Sequence, residues 1–471
     1  DVVITGAGPC GTVLANFLGQ QGIATLLIDK EAKILDIPRA VGMCDEGSRI
    51  LDAAGISTYT NPDFLDITKT NFTNNLGETV CHFDMATEIN GLPMQRTFYQ
   101  PQLEGCLRKA LERFECVDLF CLSELVNFVD QGTHVDLGLL CEGVEKSLSC
   151  RYLVAADGAR SLVRKQLGLE FTGKTYAQDW LIIDVGKNPI ESNEIFFSID
   201  PARPGITLPL PNNRRRWEFV VKNQDRVDDL FSEAFLGKLL APWGDFSEME
   251  LERKAIYTFH ARTATQYTKG NIFLAGDAAH ITPPFAGQGM MAGLRDAQNL
   301  SWKLASVIKQ ELSPHVLNSY DSERIPHSKQ IIKFAEFIGK IVLPQNPIKV
   351  GLRDAAIKLA TILGLSSPEK GMNVDKIPNH VNGSFLRNVF VSKTRGTGVW
   401  WPQFKLRCKG QEKLCDEWLE NKFYVIGWRH LPEMQLSDVN KQRWASMGGE
   451  FLSIGRDSDR FDLTDHDGDC A

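Results

Sequence analysis

The chain has 471 residues, 43% of them hydrophobic and 24% charged, which excludes a small single module and a disordered chain and is enough to bury a sizeable core. Its 52 Lys and Arg are outnumbered by 59 Asp and Glu, for a net charge of -7, and no long basic run could track a phosphate backbone, so no nucleic-acid partner is expected. The 11 cysteines include no C-x-x-C pair and read as reduced thiols of a cytoplasmic protein, with no metal site.

Val2 to Ile28 carries no charge and is long enough for a membrane span, but Gly6, Gly8, Pro9, Gly11, Gly19 and Gly22 break the apolar run, and no span is expected. The segment reads instead as strand, turn, helix, strand. Asp1 to Thr5 is β-rich, Gly6-Ala7-Gly8-Pro9-Cys10-Gly11 is a G-x-G-x-x-G turn, and Val13, Leu14, Phe17 and Leu18 form a helical stripe. Ala24 to Ile28 is a second buried strand ending in Asp29 and Lys30. In such a unit Gly6 makes the tight turn, Gly8 lets a pyrophosphate reach the backbone and Gly11 lets the helix approach the sheet, while Asp29 is placed to accept from an adenosine ribose.

Two later strands also end in motifs. Arg151 to Ala156 runs into Asp157-Gly158-Ala159-Arg160-Ser161-Leu162-Val163-Arg164, and Asn271 to Ala275 into Gly276-Asp277-Ala278-Ala279-His280, followed by Pro283-Pro284 and Gly287-Gln288-Gly289. Asp277 ends its strand at the sheet's carboxyl edge, where a short acid can reach a hydroxyl or the pyrophosphate of a bound dinucleotide, and the helix opened by Gly287 and Gly289 would aim its N-terminal N–H groups at negative charge on that ligand. Together the three motifs resemble the fingerprints of the group A flavoprotein aromatic hydroxylases. Ile37-Pro38-Arg39-Ala40, Gln100-Pro101-Gln102, Phe171 to Thr175, Asp200 to Pro204 and Val425 to Trp428 look most like the 3-(3-hydroxyphenyl)propionate hydroxylase branch.

The resemblance implies FAD held by Gly6, Gly8, Pro9, Gly11, Asp29, Lys30, Arg39, Gln102, Asp157, Gly276, Asp277, Pro283, Gly287, Gly289, Met290 and Met291, with Pro283 the candidate against the flavin ring. Met291 stands where the family usually has Asn, and Asp29 where this branch usually has Glu. The implied reaction is hydroxylation of a phenolic, phenylpropionate-like substrate by O2 through a flavin C4a-hydroperoxide. NADH or NADPH would be a transient reductant, since no second nucleotide fingerprint is found. A flavin dehydrogenase or reductase of the same fold, and a non-catalytic flavin-binding redox sensor, are the competing readings.

Between Trp180 and Tyr257 the chain turns β-rich, and the resemblance implies a sheet roofing the substrate pocket, with Trp217, Phe219 and Phe197 as candidate substrate contacts. Arg214-Arg215-Arg216 reads as a solvated turn, and His82 and His260 as structural. An apolar helix near Ala355 to Leu365 and a linker from Ser366 to Gly383 precede a last unit. The expected architecture is α/β: a Rossmann-like FAD-binding domain (1–65, 98–179 and 258–365), a p-hydroxybenzoate hydroxylase-like substrate sheet (66–97 and 180–257) and a thioredoxin-like domain (384–471) that lacks C-x-x-C, ends early at Asp465 to Gly468 and could support a homodimer.

Overall fold

The computed structural model describes residues 1–56, 64–343 (without 75–76 and 90), 350–353, 355, 401–455 (without 402, 409, 420–421 and 429–430) and 462–463. The linker, most of the helix expected near Ala355 to Leu365 and the Asp465 to Gly468 terminus lie outside the described residues.

Short apolar runs bounded by glycine turns assemble a six-stranded sheet in the order Val117–Phe120, Thr25–Ile28, Val2–Thr5, Tyr152–Ala155, Ile272–Leu274, Thr268–Lys269. The first five strands are parallel and the last is an antiparallel edge. Val2–Thr5 is buried throughout, as a strand covered on both faces requires. The Pro9–Gln20 helix buries Val13, Leu14, Phe17 and Leu18 against the sheet and against the Gly289–Ile308 helix. An antiparallel meander, Ser123–Asp130, Val135–Cys141 and Val144–Cys150, extends one side.

The second layer is an eight-stranded sheet that includes Lys69–Thr73, Phe171–Lys187, Glu194–Ser198, Gly205–Leu210, Arg214–Val220 and Glu250–Ala264. Phe171–Lys187 and Glu250–Ala264 pair antiparallel along most of their length, so each runs continuously across a boundary expected near 179 or 257. The arginine run is not a turn: Arg214, Arg215 and Arg216 lie in a strand, and Arg215 and Arg216 are buried. Asn212 and Asn213, both at positive φ, make the turn instead.

In the C-terminal unit Phe423–Trp428 pairs parallel with Gly449–Ile454, with the Asp438–Ser446 helix between them in sequence. The unit docks on the first layer through Arg49, whose guanidinium is paired with Asp416 and donates to Trp401 O at 2.6 Å, and through an edge contact of Trp302 with Phe423. No helix among the described residues is long and apolar enough to cross a membrane.

Beneath the third motif lies a buried ionic cluster. Asp296 accepts from His280 Nε2 at 2.6 Å, Arg324 Nε at 2.8 Å and Gly276 N at 3.0 Å. Burial alone would raise the Asp296 pKa, but His280 and Arg324 outweigh it and hold the carboxyl below the usual range. Its stabilising contribution is therefore complete above the pKa of an unfolded Asp and is lost as pH falls toward the lower folded value. Asp296→Asn leaves Arg324 buried without its counter-ion and is expected to cost about 3–5 kcal/mol. Thermal unfolding at neutral pH should show a midpoint several degrees lower; an unchanged midpoint contradicts the cluster's role.

Candidate active site

All three motifs follow adjacent parallel strands and meet at one sheet edge. Gly6 has φ +102°, and a Cβ there would stand 2.4 Å from the Ala156 carbonyl oxygen; a Cβ on Gly11 would stand 2.1 Å from Gly6 O. Gly8 differs: its φ is -76°, and a Cβ would meet nothing within 4 Å. The Pro9–Gln20 helix starts there without a side-chain cap, leaving free N–H groups beside open space. Asp29 braces this loop, accepting from Ala7 N at 2.8 Å and Glu31 N at 2.9 Å, with Arg108 3.8 Å away. Its carboxylate keeps lone pairs for a ribose, and Lys30 beside it is exposed.

Asp157 acts as a brace as well. One oxygen accepts from Leu162 N at 2.8 Å, at the start of the Leu162–Gln166 helix, and the other is buried without a partner. Arg164 ties this motif to the third by donating to Ala278 O at 2.8 Å. Asp277 lines the cavity; desolvation by the surrounding protein raises its pKa, and Arg39 and His280 oppose the rise. The Arg39 loop hangs on Gln100, whose Oε1 accepts from Arg39 N at 2.8 Å and Ala40 N at 2.7 Å. Gln102 makes neither bond, and its Oε1 is buried without a partner.

These groups border a cavity of about 450 Å³ between the two layers. Of the expected cofactor residues, Gly8, Pro9, Arg39, Gly276, Asp277, Gly287, Gly289 and Met290 line it. Gly6 and Gly11 pack behind the wall. Pro283 is buried, and Pro284 faces the cavity in its place. Met291 is also turned away, its sulfur pressed against Gly47 of the Asp45–Ala53 helix. The Gly289–Ile308 helix begins at this wall without a side-chain cap, so a second set of free N–H groups faces the cavity. Two open helix N-termini, the side-chain-free Gly8 and the unpartnered Thr282 hydroxyl on the wall suit an extended, doubly phosphorylated cofactor such as FAD.

The rest of the cavity is a chamber walled by Phe72, Phe83, Trp180, Phe197, Phe285 and Ile338 among others. Trp217 and Phe219 are not part of it. They sit in a separate core with Leu230, Leu236 and Leu240, because odd positions of Arg214–Val220 face away from the first layer and even ones face the cavity side. The even set is Arg214, Arg216, Glu218 and Val220: Glu218 lines the cavity, Val220 packs with Trp180 and Phe285, Arg216 binds the first layer, and Arg214, outside the cavity lining, pairs with Glu252 and lies over the Tyr99 ring. Charges alternating with aromatics along Arg216-Trp217-Glu218-Phe219 were the available signal, since alternate residues of a strand lie on opposite faces and the two aromatics therefore share a face that Glu218 does not.

The family model described as FAD binding domain matches residues 1–335, and that described as HcaD C-terminal domain matches 398–471. A 3-(3-hydroxy-phenyl)propionate/3-hydroxycinnamic acid hydroxylase 2 of Burkholderia vietnamiensis (strain G4 / LMG 22486) is 34% identical over 462 residues, covering 97% of this chain and 84% of the relative. A 3-(3-hydroxy-phenyl)propionate/3-hydroxycinnamic acid hydroxylase of Escherichia coli O139:H28 (strain E24377A / ETEC) is 33% identical over 463 residues, covering 96% and 82%. Among solved structures, aklavinone-11 hydroxylase in ternary complex with FAD and aklavinone has a TM-score of 0.79 at 21% identity over 97% of this chain and 89% of its own. The flavin-dependent monooxygenase PieE with FAD and substrate has a TM-score of 0.81 at 18% identity over 98% and 90%. These two share the fold.

The environment of Gly8 separates cofactor binding from folding. Gly8→Val introduces neither backbone strain nor a clash with the chain, so the variant should unfold like the parent when both are stripped of flavin. Its affinity for FAD should fall at least tenfold, read by flavin fluorescence on titration; full flavin occupancy in purified Gly8→Val contradicts the assignment.

Proposed function

Since this chain belongs to the family of FAD-dependent aromatic hydroxylases, we propose that it inserts one atom of O2 into the ring of a phenolic substrate, with NADH or NADPH as reductant. Bound FAD would supply the redox chemistry, taking two electrons from the nicotinamide and passing them to O2, so that one oxygen enters the ring and the other leaves as water. The observation that carries this reading is the continuity of the cavity, which joins the three nucleotide motifs to a chamber walled by aromatic rings.

The chain's own groups divide the work. The N-terminus of Pro9–Gln20, with Gly8 and Pro9, would receive the pyrophosphate, with Asp29 at the adenosine end. Arg39 and Asp277, an interacting pair on the wall, would hold the ribityl segment. The N–H groups opening Gly289–Ile308 would face the flavin where negative charge gathers on reduction. Trp180, Phe197, Phe285 and Ile338 keep water from the reacting ring. An electron-rich phenol fits because the oxygen transferred is electrophilic. The names of the relatives support oxygen insertion over a plain reductase or a redox sensor.

Only one dinucleotide fingerprint is present, so the nicotinamide must reach the flavin at this same cavity and its oxidation should depend on substrate. Adding a phenol should accelerate NADH or NADPH oxidation at least tenfold, with a product one oxygen atom heavier formed in step. Rapid oxidation without any phenol, unchanged when one is added, overturns the proposal.

A further inference from the structure

Building on the phenol-hydroxylating reading, we propose that Glu218 is the specificity-determining residue of the chamber: its carboxylate takes the hydrogen bond of a phenolic hydroxyl and excludes phenols that carry a carboxylate of their own.

Glu218 is a largely buried acid with apolar cross-strand neighbours and an arginine nearby. It lines the cavity with its side chain only 13% exposed, and its cross-strand neighbours are Ile182 and Ile206. No described residue hydrogen-bonds to its carboxylate. Arg216 Nη1 is 3.9 Å away, but that guanidinium already bonds Asp184 through Nε and Nη2 and the carbonyls of Arg39 and Pro38 through Nη1 and Nη2. A buried acceptor with free lone pairs in a greasy chamber favours a ligand that brings one donor on an apolar body.

The charges on the wall point the same way. Among the described lining residues, Glu218 and Asp277 face the cavity, and the lining cation, Arg39, interacts with Asp277 at the flavin end. An acidic side chain on the substrate would be desolvated beside Glu218 and repelled by it, where the nearby cations are already engaged, Arg216 with Asp184 and Arg253 with Tyr257. Such a preference would separate the chain from relatives whose names specify hydroxyphenylpropionate and hydroxycinnamic acid.

The facing groups also set a pH dependence. Burial raises the Glu218 pKa; Arg216 on its own strand lowers it, Asp184 on Phe171–Lys187 raises it, and Arg253 on Glu250–Ala264, bonded to Tyr257, lowers it, with a net rise. Glu218 thus ionises at higher pH than an ordinary Glu, and discrimination against acids should grow as pH rises through that ionisation.

The test compares 3-propylphenol with 3-(3-hydroxyphenyl)propionate, which differ little in size, on the flavin-loaded parent, Glu218→Gln and Glu218→Asp. The parent should favour the neutral phenol at least tenfold in kcat/KM, and calorimetric binding should give the same order. Glu218→Gln should shrink the ratio at least tenfold with flavin content unchanged, while Glu218→Asp keeps it; should Gln fail to fold, the Asp variant and the parent's pH profile still decide. A parent that uses the acid as well as or better than the phenol, or a ratio unmoved by Gln, overturns the proposal. If neither compound gains oxygen yet the binding preference and its response to Gln hold, the reaction assignment fails and the role of Glu218 is supported.

Discussion

The buried guanidinium of Arg216 joins the two layers of this protein. It is paired with Asp184 at 2.6 and 2.9 Å inside the eight-stranded sheet, and it donates to Pro38 O at 2.6 Å and Arg39 O at 3.2 Å on the first layer. Arg253 repeats the connection, 3.5 Å from Asp184 and donating to Pro38 O at 3.1 Å. Breaking the pair of Arg216 with Asp184 would strand a buried charge at about 3–5 kcal/mol, which holds the guanidinium in place within its sheet. Its bonds to Pro38 O and Arg39 O then tie that sheet to the first layer beside the cavity that Arg39 lines. The same bonds tie down the loop that carries Arg39, and Glu218, two positions along the strand from Arg216 and on its face, lines the cavity.

The cavity has two kinds of wall because the two layers have different chemistry. The parallel sheet delivers loops and helix starts at its carboxyl edge, where unsatisfied N–H groups suit phosphates and the electron-rich end of a reduced flavin. The antiparallel sheet delivers side chains, and on the inner face these are mostly aromatic and branched aliphatic. Beneath the join, the Asp296 cluster anchors the third motif from below, so the Gly276–Ala278 turn is held by buried charge as well as by the strand before it.

Much of the nucleotide end was legible in the sequence because its determinants are local. Gly6 and Gly11 are required by contacts under 2.5 Å that only a glycine survives, and the Leu14 and Leu18 stripe is a helix written in its own period. The substrate end was not. Which parity of a strand faces the cavity depends on what the other face covers, and the core of Leu230, Leu236 and Leu240 that claims Trp217 and Phe219 comes from separate helices. Arg215 and Arg216 looked like surface residues because their partners, Ser192 O for one and Asp184 with Pro38 O for the other, are distant in sequence. Gln100 and Pro284 replaced Gln102 and Pro283 through the turn of a helix and the twist of a loop, finer than a motif resolves.

The central claim is that this interlayer cavity puts oxygen from O2 onto a phenolic ring. The most direct measurement is mass spectrometry of the product formed from a phenol with NAD(P)H under 18O2 in ordinary water. The account predicts a gain of one labelled oxygen per turnover, the label staying on the ring. A product without added oxygen, or with oxygen drawn from water, would contradict it.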